Sequence, residues 1–262
     1  MNAALWISKT GLDAQTKDIA VISNNLANAS TIGFKKSRAV FEDLLYQNIN
    51  QPGGRTAQDT EAPSGLMLGA GTKVVATQKI HTQGDMITSD NALDLMIQGE
   101  GFFEILMPDG SSAYSRNGQF TMDDEGNMVT PGAGYMIQPQ VTIPEDALSI
   151  IVSQDGEVSV TLQGQPDPAV VGQINLTNFV NPTGLQSIGQ NLYTETAVSG
   201  APQEGVPGLE GYGLLVQGAL ETSNVNTTEE LVNLIESQRV YEMNSKVISA
   251  VDEMLSYINQ QM

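Results

Sequence analysis

The side chains able to do acid–base, nucleophilic or metal chemistry are few, and their spacing does not suit it. His81 is the only histidine. A Ser-His-Asp triad would have to use it, and no Gly-x-Ser-x-Gly nucleophile elbow occurs. Beside Lys79 and Thr82 it reads as a surface residue. Cysteine is absent, which removes thiolate nucleophiles, thiolate metal ligands and disulfides. The run Asp123-Asp124-Glu125-Gly126-Asn127 is acidic but lacks the alternating ligand spacing and terminal Glu of an EF-hand loop. It reads as a solvated hairpin tip. The carboxylates of the middle could place two side chains at glycosidase separation, but nothing in the sequence selects a pair. No Gly-rich phosphate loop ends in Gly-Lys-Ser/Thr. The expectation is therefore no catalytic residue, no cofactor and no metal site.

What must be positioned is a surface, and the charge distribution shows where. The chain has 262 residues and a net charge of −19. Residues 1–50 carry five Lys/Arg against four Asp/Glu, and residues 227–262 carry two against six. Residues 51–226 carry four against twenty. An acidic middle repels nucleic acid and anionic lipid, while the nearly neutral ends can approach other chains with less penalty. No stretch approaches the ~20 apolar residues of a membrane helix. Met1-Asn2-Ala3-Ala4-Leu5-Trp6 has no basic segment leading into an apolar run, so it does not read as a secretory signal.

Helical periodicity dominates both ends. From Thr222 onward no Pro or Gly interrupts the chain. Leu234, Tyr241, Ile248 and Leu255 recur every seven residues, with Val251 beside them. Thr227 with Glu230 forms a capping box, and Asn226 with Glu229 offers a second register for the same start. This predicts one helix of ~30 residues. At the other end Leu5, Leu12, Ile19 and Leu26 are also seven apart, with Ile22 on the same side, which predicts a helix over 3–28. A sustained heptad needs a partner helix, and lone amphipathic helices are marginal in water. The two stripes are expected to cover each other.

Between the helices the signals change. Residues 47–72 are rich in Gly and Pro and read as a long irregular connection. Residues 73–220 read as β, with candidate strands at 73–78, 102–106, 148–152, 157–162 and 170–176. Asp109-Gly110, Asn117-Gly118, Glu125-Gly126 and Asp155-Gly156 are turn signals. Many short strands imply a sandwich or a partly closed barrel.

The run from Ile22 through Asn24, Asn25, Asn28 and Gly33 to Phe34-Lys35 resembles the N-terminal signature of the bacterial flagellar rod and hook protein family. Ser223-Asn224-Val225-Asn226, Glu229–Ile235 and Gln238-Arg239-Val240-Tyr241-Glu242 resemble its C-terminal signature. Phe41–Gln47 with Gln51-Pro52-Gly53, Gly99–Phe103, Tyr114–Phe120 and Asn191–Thr196 resemble its distal-rod members. The resemblance spans essentially the whole chain.

The resemblance implies an α+β, multi-domain fold. Residues 1–46 with 221–262 would form a discontinuous α-helical coiled-coil layer lining a tube. Residues 47–72 would be an extended connection characteristic of the distal rod, and 73–220 an outer all-β domain. It implies a structural subunit that polymerises into a straight, rigid helical tube passing motor torque to the hook. Polymer contacts are expected at Leu5, Leu12, Ile19, Ile22, Leu26, Leu234, Tyr241, Ile248, Val251 and Leu255. Asn24, Asn25, Asn28, Gly33 and Phe34 would shape the turn. Gln47, Pro52, Gly53, Pro63 and Gly65 would keep the tube straight. Its partners would be copies of itself, adjoining proximal-rod and hook-side axial proteins and the surrounding P/L ring bushing, with no nucleic acid and no membrane insertion. Its location would be the basal-body rod between periplasm and outer membrane, after type III export. Alternatives are another axial protein of the same family or, from a different class, a β-domain carbohydrate-acting enzyme or adhesin.

Overall fold

A computed structural model describes residues 3–50, 55–57, 60–61, 64–162, 168–209 and 211–261. The chain is α+β, with a helix at each end and a β-rich middle. It divides into two compact units, one of residues 1–27, 37–79 and 226–262 and one of residues 28–36 and 80–225.

The first unit contains helix α1 (Ala3–Ala27) and helix α2 (Thr227–Gln261). At about 1.5 Å per residue α2 is about 50 Å long. Its start uses the second capping register. Asn226 Oδ1 accepts hydrogen bonds from the Thr228 and Glu229 amides at 3.0 and 3.3 Å, satisfying donors that the first helical turn otherwise leaves open.

The helices run antiparallel, and three contacts fix their register. Asn25 lies by Glu230 and Asp18 by Ser237, and Gly11 by Asn244. Each step of seven back along α1 matches a step of seven forward along α2. Ser8, Ala14, Ile22 and Asn25 are buried on α1, and Glu230, Ser237 and Val251 on α2. Gly11 permits the approach, since a Cβ there would lie 3.0 Å from Asn244 Nδ2.

The rest of this unit is a nested antiparallel ladder. Strand β1 (Ser37–Asp43) pairs with β6 (Thr72–Lys79), β2 (Gln47–Asn50) with β5 (Leu66–Leu68), and β3 (Arg55–Ala57) with β4 (Thr60–Glu61). The expected irregular connection is thus, in its described residues, the continuation of a long hairpin. Gly and Pro content misleads here because hydrogen bonding across the hairpin compensates for weak local propensity.

In the second unit the strands are β7 (Met86–Thr88), β8 (Leu95–Gln98), β9 (Phe103–Leu106), β10 (Ser112–Ser115), β11 (Thr121–Met122), β12 (Met128–Val129) and β13 (Met136–Gln138). They continue as β14 (Ala147–Val152), β15 (Glu157–Leu162), β16 (Ala169–Gln173), β17 (Leu176–Asn178), β18 (Gln186–Gly189), β19 (Leu192–Thr194), β20 (Gln203–Gly205), β21 (Leu214–Gln217) and β22 (Ala219–Glu221). A seven-stranded sheet runs β11-β12-β13-β9-β10-β19-β18, and β14-β15-β16 form a three-stranded sheet. The larger sheet does not close into a barrel. Phe103, Met128 and Ile137 share one core with Val158 and Val160 of the smaller sheet and with Leu95 and Leu215 of the β8·β21 pair.

Asp109-Gly110, Glu125-Gly126 and Asp155-Gly156 each lie between consecutive paired strands, as their dipeptides predict. Asn117-Gly118 does not. Gly118 instead packs on β8, its carbonyl accepting from the Leu95 amide at 2.9 Å.

Candidate assembly surface

Two groups of residues deserve a functional reading: polar clamps that hold the chain's crossing points, and apolar surface left uncovered. The chain passes between the units after residues 27, 36, 79 and 225.

Asn25 controls the first return. Its Oδ1 accepts from the Ser37 amide at 2.9 Å and its Nδ2 donates to the Ser37 carbonyl at 2.7 Å. The same Nδ2 donates to Glu230 Oε2 at 3.3 Å. One buried amide therefore ties α1 to the start of β1 and to α2. Asn24 points to the exposed side of α1.

The turn follows in the second unit. Asn28 accepts from Thr31 through both its carbonyl and its Oδ1, each at 3.1 Å. Gly33 takes φ +69°, a region that L side chains avoid. A Cβ there would also lie 2.7 Å from the Asn117 amide nitrogen. Phe34 is buried.

Beyond it lies a buried charge cluster that sequence reasoning missed. Lys35 Nζ pairs with Glu221 Oε1 and donates to the Thr82 carbonyl at 2.8 Å. Arg116 Nη1 lies 3.5 Å from Glu221 Oε2, and its guanidinium lies over the Phe102 ring. The Gly84 amide donates to Glu221 at 2.8 Å. All three charged side chains are at most 5 % exposed. Burial pushes the Lys35 ammonium below its usual range, Glu221 opposes that shift, and the second cation Arg116 reinforces it. Burial likewise lowers Arg116. Breaking such a buried pair leaves an uncompensated charge.

Asn224 completes the clamp. It accepts from the Lys36 amide at 2.7 Å and donates to the Ile80 carbonyl at 2.8 Å. Segments 34–36, 80–84 and 221–224 are thus held side by side. Lys35 and Asn224 lie inside the two quoted signatures, but spacing gave no hint of their roles. Glu221 lies outside both.

His81 is not the surface residue expected. It packs edge-on against Phe102 and Tyr193 at 5.6 Å between centroids, beside an aromatic cluster with Tyr114 and Phe179. Among the described residues no group of three or more His, Cys, Asp or Glu could hold a metal ion. Among the described residues no helix is long and apolar enough to cross a membrane.

The uncovered surface lies in the first unit. The expected contact residues Leu5, Leu12, Ile19, Leu26, Leu234 and Ile248 are half-buried, Ile22 and Val251 are buried, and Tyr241 and Leu255 are exposed. A second apolar line on α2, with Val232, Ile235, Met243, Val247 and Met254, is exposed throughout. The hairpin adds Leu45, Tyr46, Ile49, Leu66, Met67 and Leu68, and Leu45 is 92 % exposed. Gln47 pairs with Leu68, Gly65 is half-buried just before β5, and Pro52, Gly53 and Pro63 lie outside the described residues. Exposed apolar side chains in this number make these segments candidates for an interface.

Three family models match the chain: the flagella basal body rod protein over residues 6–35, the flagellar hook protein FlgE/F/G D1 domain over 96–160, and the flagellar basal body rod FlgEFG protein C-terminal segment over 216–261. The flagellar basal-body rod protein FlgG of Buchnera aphidicola subsp. Acyrthosiphon pisum is 53 % identical over 99 % of this chain and 100 % of its own length. The chain belongs to the flagellar basal-body rod protein FlgG family. FlgG of Caulobacter vibrioides is 47 % identical over 98 % of both chains, and FlgG of Bacillus subtilis 40 % over 97 % of both. Similarity to the related rod protein FlgF of Caulobacter vibrioides is lower, at 32 % over 97 % of this chain. As a member of the FlgG family the protein is a structural component of the flagellar rod in the basal body and not an enzyme. The matched segments carry the clamps: Asn25, Gly33 and Lys35 lie in the first match, Arg116 in the second, and Glu221, Asn224 and α2 in the third.

Proposed function

We propose that this chain is the distal rod subunit, polymerising through heterologous contacts that do not close into a ring and so build a straight helical tube. Residues 1–46 with 221–262 form the inner, coiled-coil layer. Residues 73–220 form the outer β layer as a sandwich facing the P/L ring bushing. The segment 47–72, with Gln47, Pro52, Gly53, Pro63 and Gly65, fills the space between copies and keeps the tube straight. Adjoining partners are proximal-rod and hook-side axial proteins, the rod spans periplasm to outer membrane, and the chain arrives by type III export.

The exposed apolar line of α2, from Val232 to Met254 on a helix already paired with α1, carries this reading. Water penalises that surface by about 25 cal/mol per Å², so a subunit bearing it gains by association. Leu5, Leu12, Ile19, Ile22, Leu26, Leu234, Tyr241, Ile248, Val251 and Leu255 contribute to the helical layer and its contacts. Stiffness follows from close packing, which resists compression.

Electron microscopy of the concentrated full chain tests this. Straight tubes are expected. Curved tubes would point to a hook-type assembly, and absence of polymer at any concentration would overturn the reading. Deleting residues 47–65 should leave polymers that bend.

A further inference from the structure

We propose that a small uncharged pocket on the seven-stranded sheet binds an N-acetylated amino sugar, a unit of bacterial wall glycan. The pocket lies within the second unit and does not rest on the rod-subunit reading.

Its volume is about 160 Å³, room for about five waters at ~30 Å³ each. That suits one substituent or one edge of a sugar ring and is too small for a run of polypeptide. Ile105 on β9 and Leu192 on β19 line it, at 1 % and 5 % exposure. Tyr135 packs beside them. Asn117, Thr130 and Gln190 add amides and a hydroxyl, and no residue lining the pocket carries a charge. A charged ligand would find no counter-charge there, so the lining selects a neutral one.

The polar groups narrow the class. Asn117 Oδ1 accepts from the Gln119 amide at 3.1 Å, which leaves Nδ2 as its remaining donor. Among the described residues neither Asn117 Nδ2 nor the Gln190 side-chain amide has a hydrogen-bond partner. Together they offer donors and an acceptor beside an apolar pair. An acetamido group matches that set: its C=O accepts, its N–H donates and its methyl needs an apolar contact. A plain hexose has no methyl to bury.

The backbone of Gln190 is an independent observation. Gln190 and Asn191 form the two-residue turn between β18 and β19 and take φ +55° and +59°. L side chains are disfavoured in that region, and such turns favour Asn-Gly or Gly-Gly. The fold accounts for Asn191, whose Nδ2 donates to the Ile32 carbonyl at 2.8 Å and whose carbonyl accepts from Ser115 Oγ at 2.9 Å. It gives the Gln190 side chain no such bond among the described residues. A side chain kept where glycine fits better, at the wall of a pocket, points to a ligand.

Titrating N-acetylglucosamine into the ¹⁵N-labelled full chain tests this. Saturable shifts of the Asn117 and Gln190 side-chain amides are expected, with a dissociation constant on the order of 1 mM for so small a ligand. Glucose should give no saturable shift. Gln190→Gly should weaken binding about fivefold, the loss of one hydrogen bond, while raising the unfolding midpoint because glycine suits the turn. No saturable response of the native chain overturns the site, and an equal response to glucose overturns the acetamido assignment. Native-like binding by Gln190→Gly, or a lowered midpoint, marks Gln190 as a structural residue and overturns its role. The titration needs no polymer, so each of these failures leaves the rod reading standing.

Discussion

The side-chain amide of Asn25 meets the backbone of Ser37 as a second strand would, accepting from its N–H at 2.9 Å and donating to its C=O at 2.7 Å. The two residues are twelve apart, and the turn sequence lies between them. A single buried side chain therefore fixes where the hairpin leaves α1.

Asn25→Ala should destabilise the first unit by about 2–4 kcal/mol, because two hydrogen bonds are lost and a buried backbone pair loses its partner. Asn25→Asp should be at least as harmful, since a carboxylate cannot donate to the Ser37 carbonyl and repels Glu230. Urea unfolding read by the fluorescence of Trp6, the only tryptophan, checks both.

Glu221→Gln should destabilise the second unit by about 3–5 kcal/mol, the cost of stranding buried charge. Lys35 and Arg116 would then face each other without an anion. Lys35→Met should cost less, because Glu221 keeps Arg116 at 3.5 Å. Near-ultraviolet circular dichroism through a urea titration gives the order. Equal losses would contradict the net-charge account.

Alkali should unfold the second unit. Burial is the main cause that pushes the Tyr114 and Tyr193 phenols up to about 12. Their ordinary value is about 10. A raised folded value means that ionisation favours the unfolded chain. The contribution is therefore complete below about pH 10 and disappears as pH rises toward about 12. Urea midpoints measured across that window should fall, and Tyr193→Phe should flatten the fall. A midpoint independent of pH would count against the burial of both phenols.

Gly11→Ala should change stability little in the native background, because the atoms nearest a new Cβ belong to the side-chain amide of Asn244, with Nδ2 at 3.0 Å. In an Asn244→Ala background the same change should stabilise by about 1 kcal/mol through helix propensity. Gly11→Leu should separate the helices and lower the midpoint in either background. Thermal melts of the two background chains and the four Gly11 variants decide this.

The helices were legible because their signals are local. Seven-residue recurrence, an unbroken run after Gly218 and the Asn226 cap each act within a few residues. The strands at 148–152 and 157–162 were legible for the same reason, with Asp155-Gly156 between them. In the hairpin, the strand at 73–78 was legible and appears as β6, but β1, β2 and β5 were not: Gly and Pro over 47–72 argue for loop, and these strands form only because distant residues pair.

The seam between the helices was read from the apolar heptads, yet the line of contact runs through Gly11, Asp18, Asn25, Glu230, Ser237 and Asn244. Apolar periodicity shows that a helix has a face to cover. It does not say which small residues allow the closest approach. Lys35 and Glu221 are separated by 186 positions, and no local rule links a cation to so remote an anion. The sequence alone determined the helices, the β-rich middle and the less acidic, apolar-striped ends, because these follow from neighbouring residues. Only the tertiary structure decided which helix positions touch and which charges are buried together, because those depend on how the folded chain brings distant segments within hydrogen-bond reach.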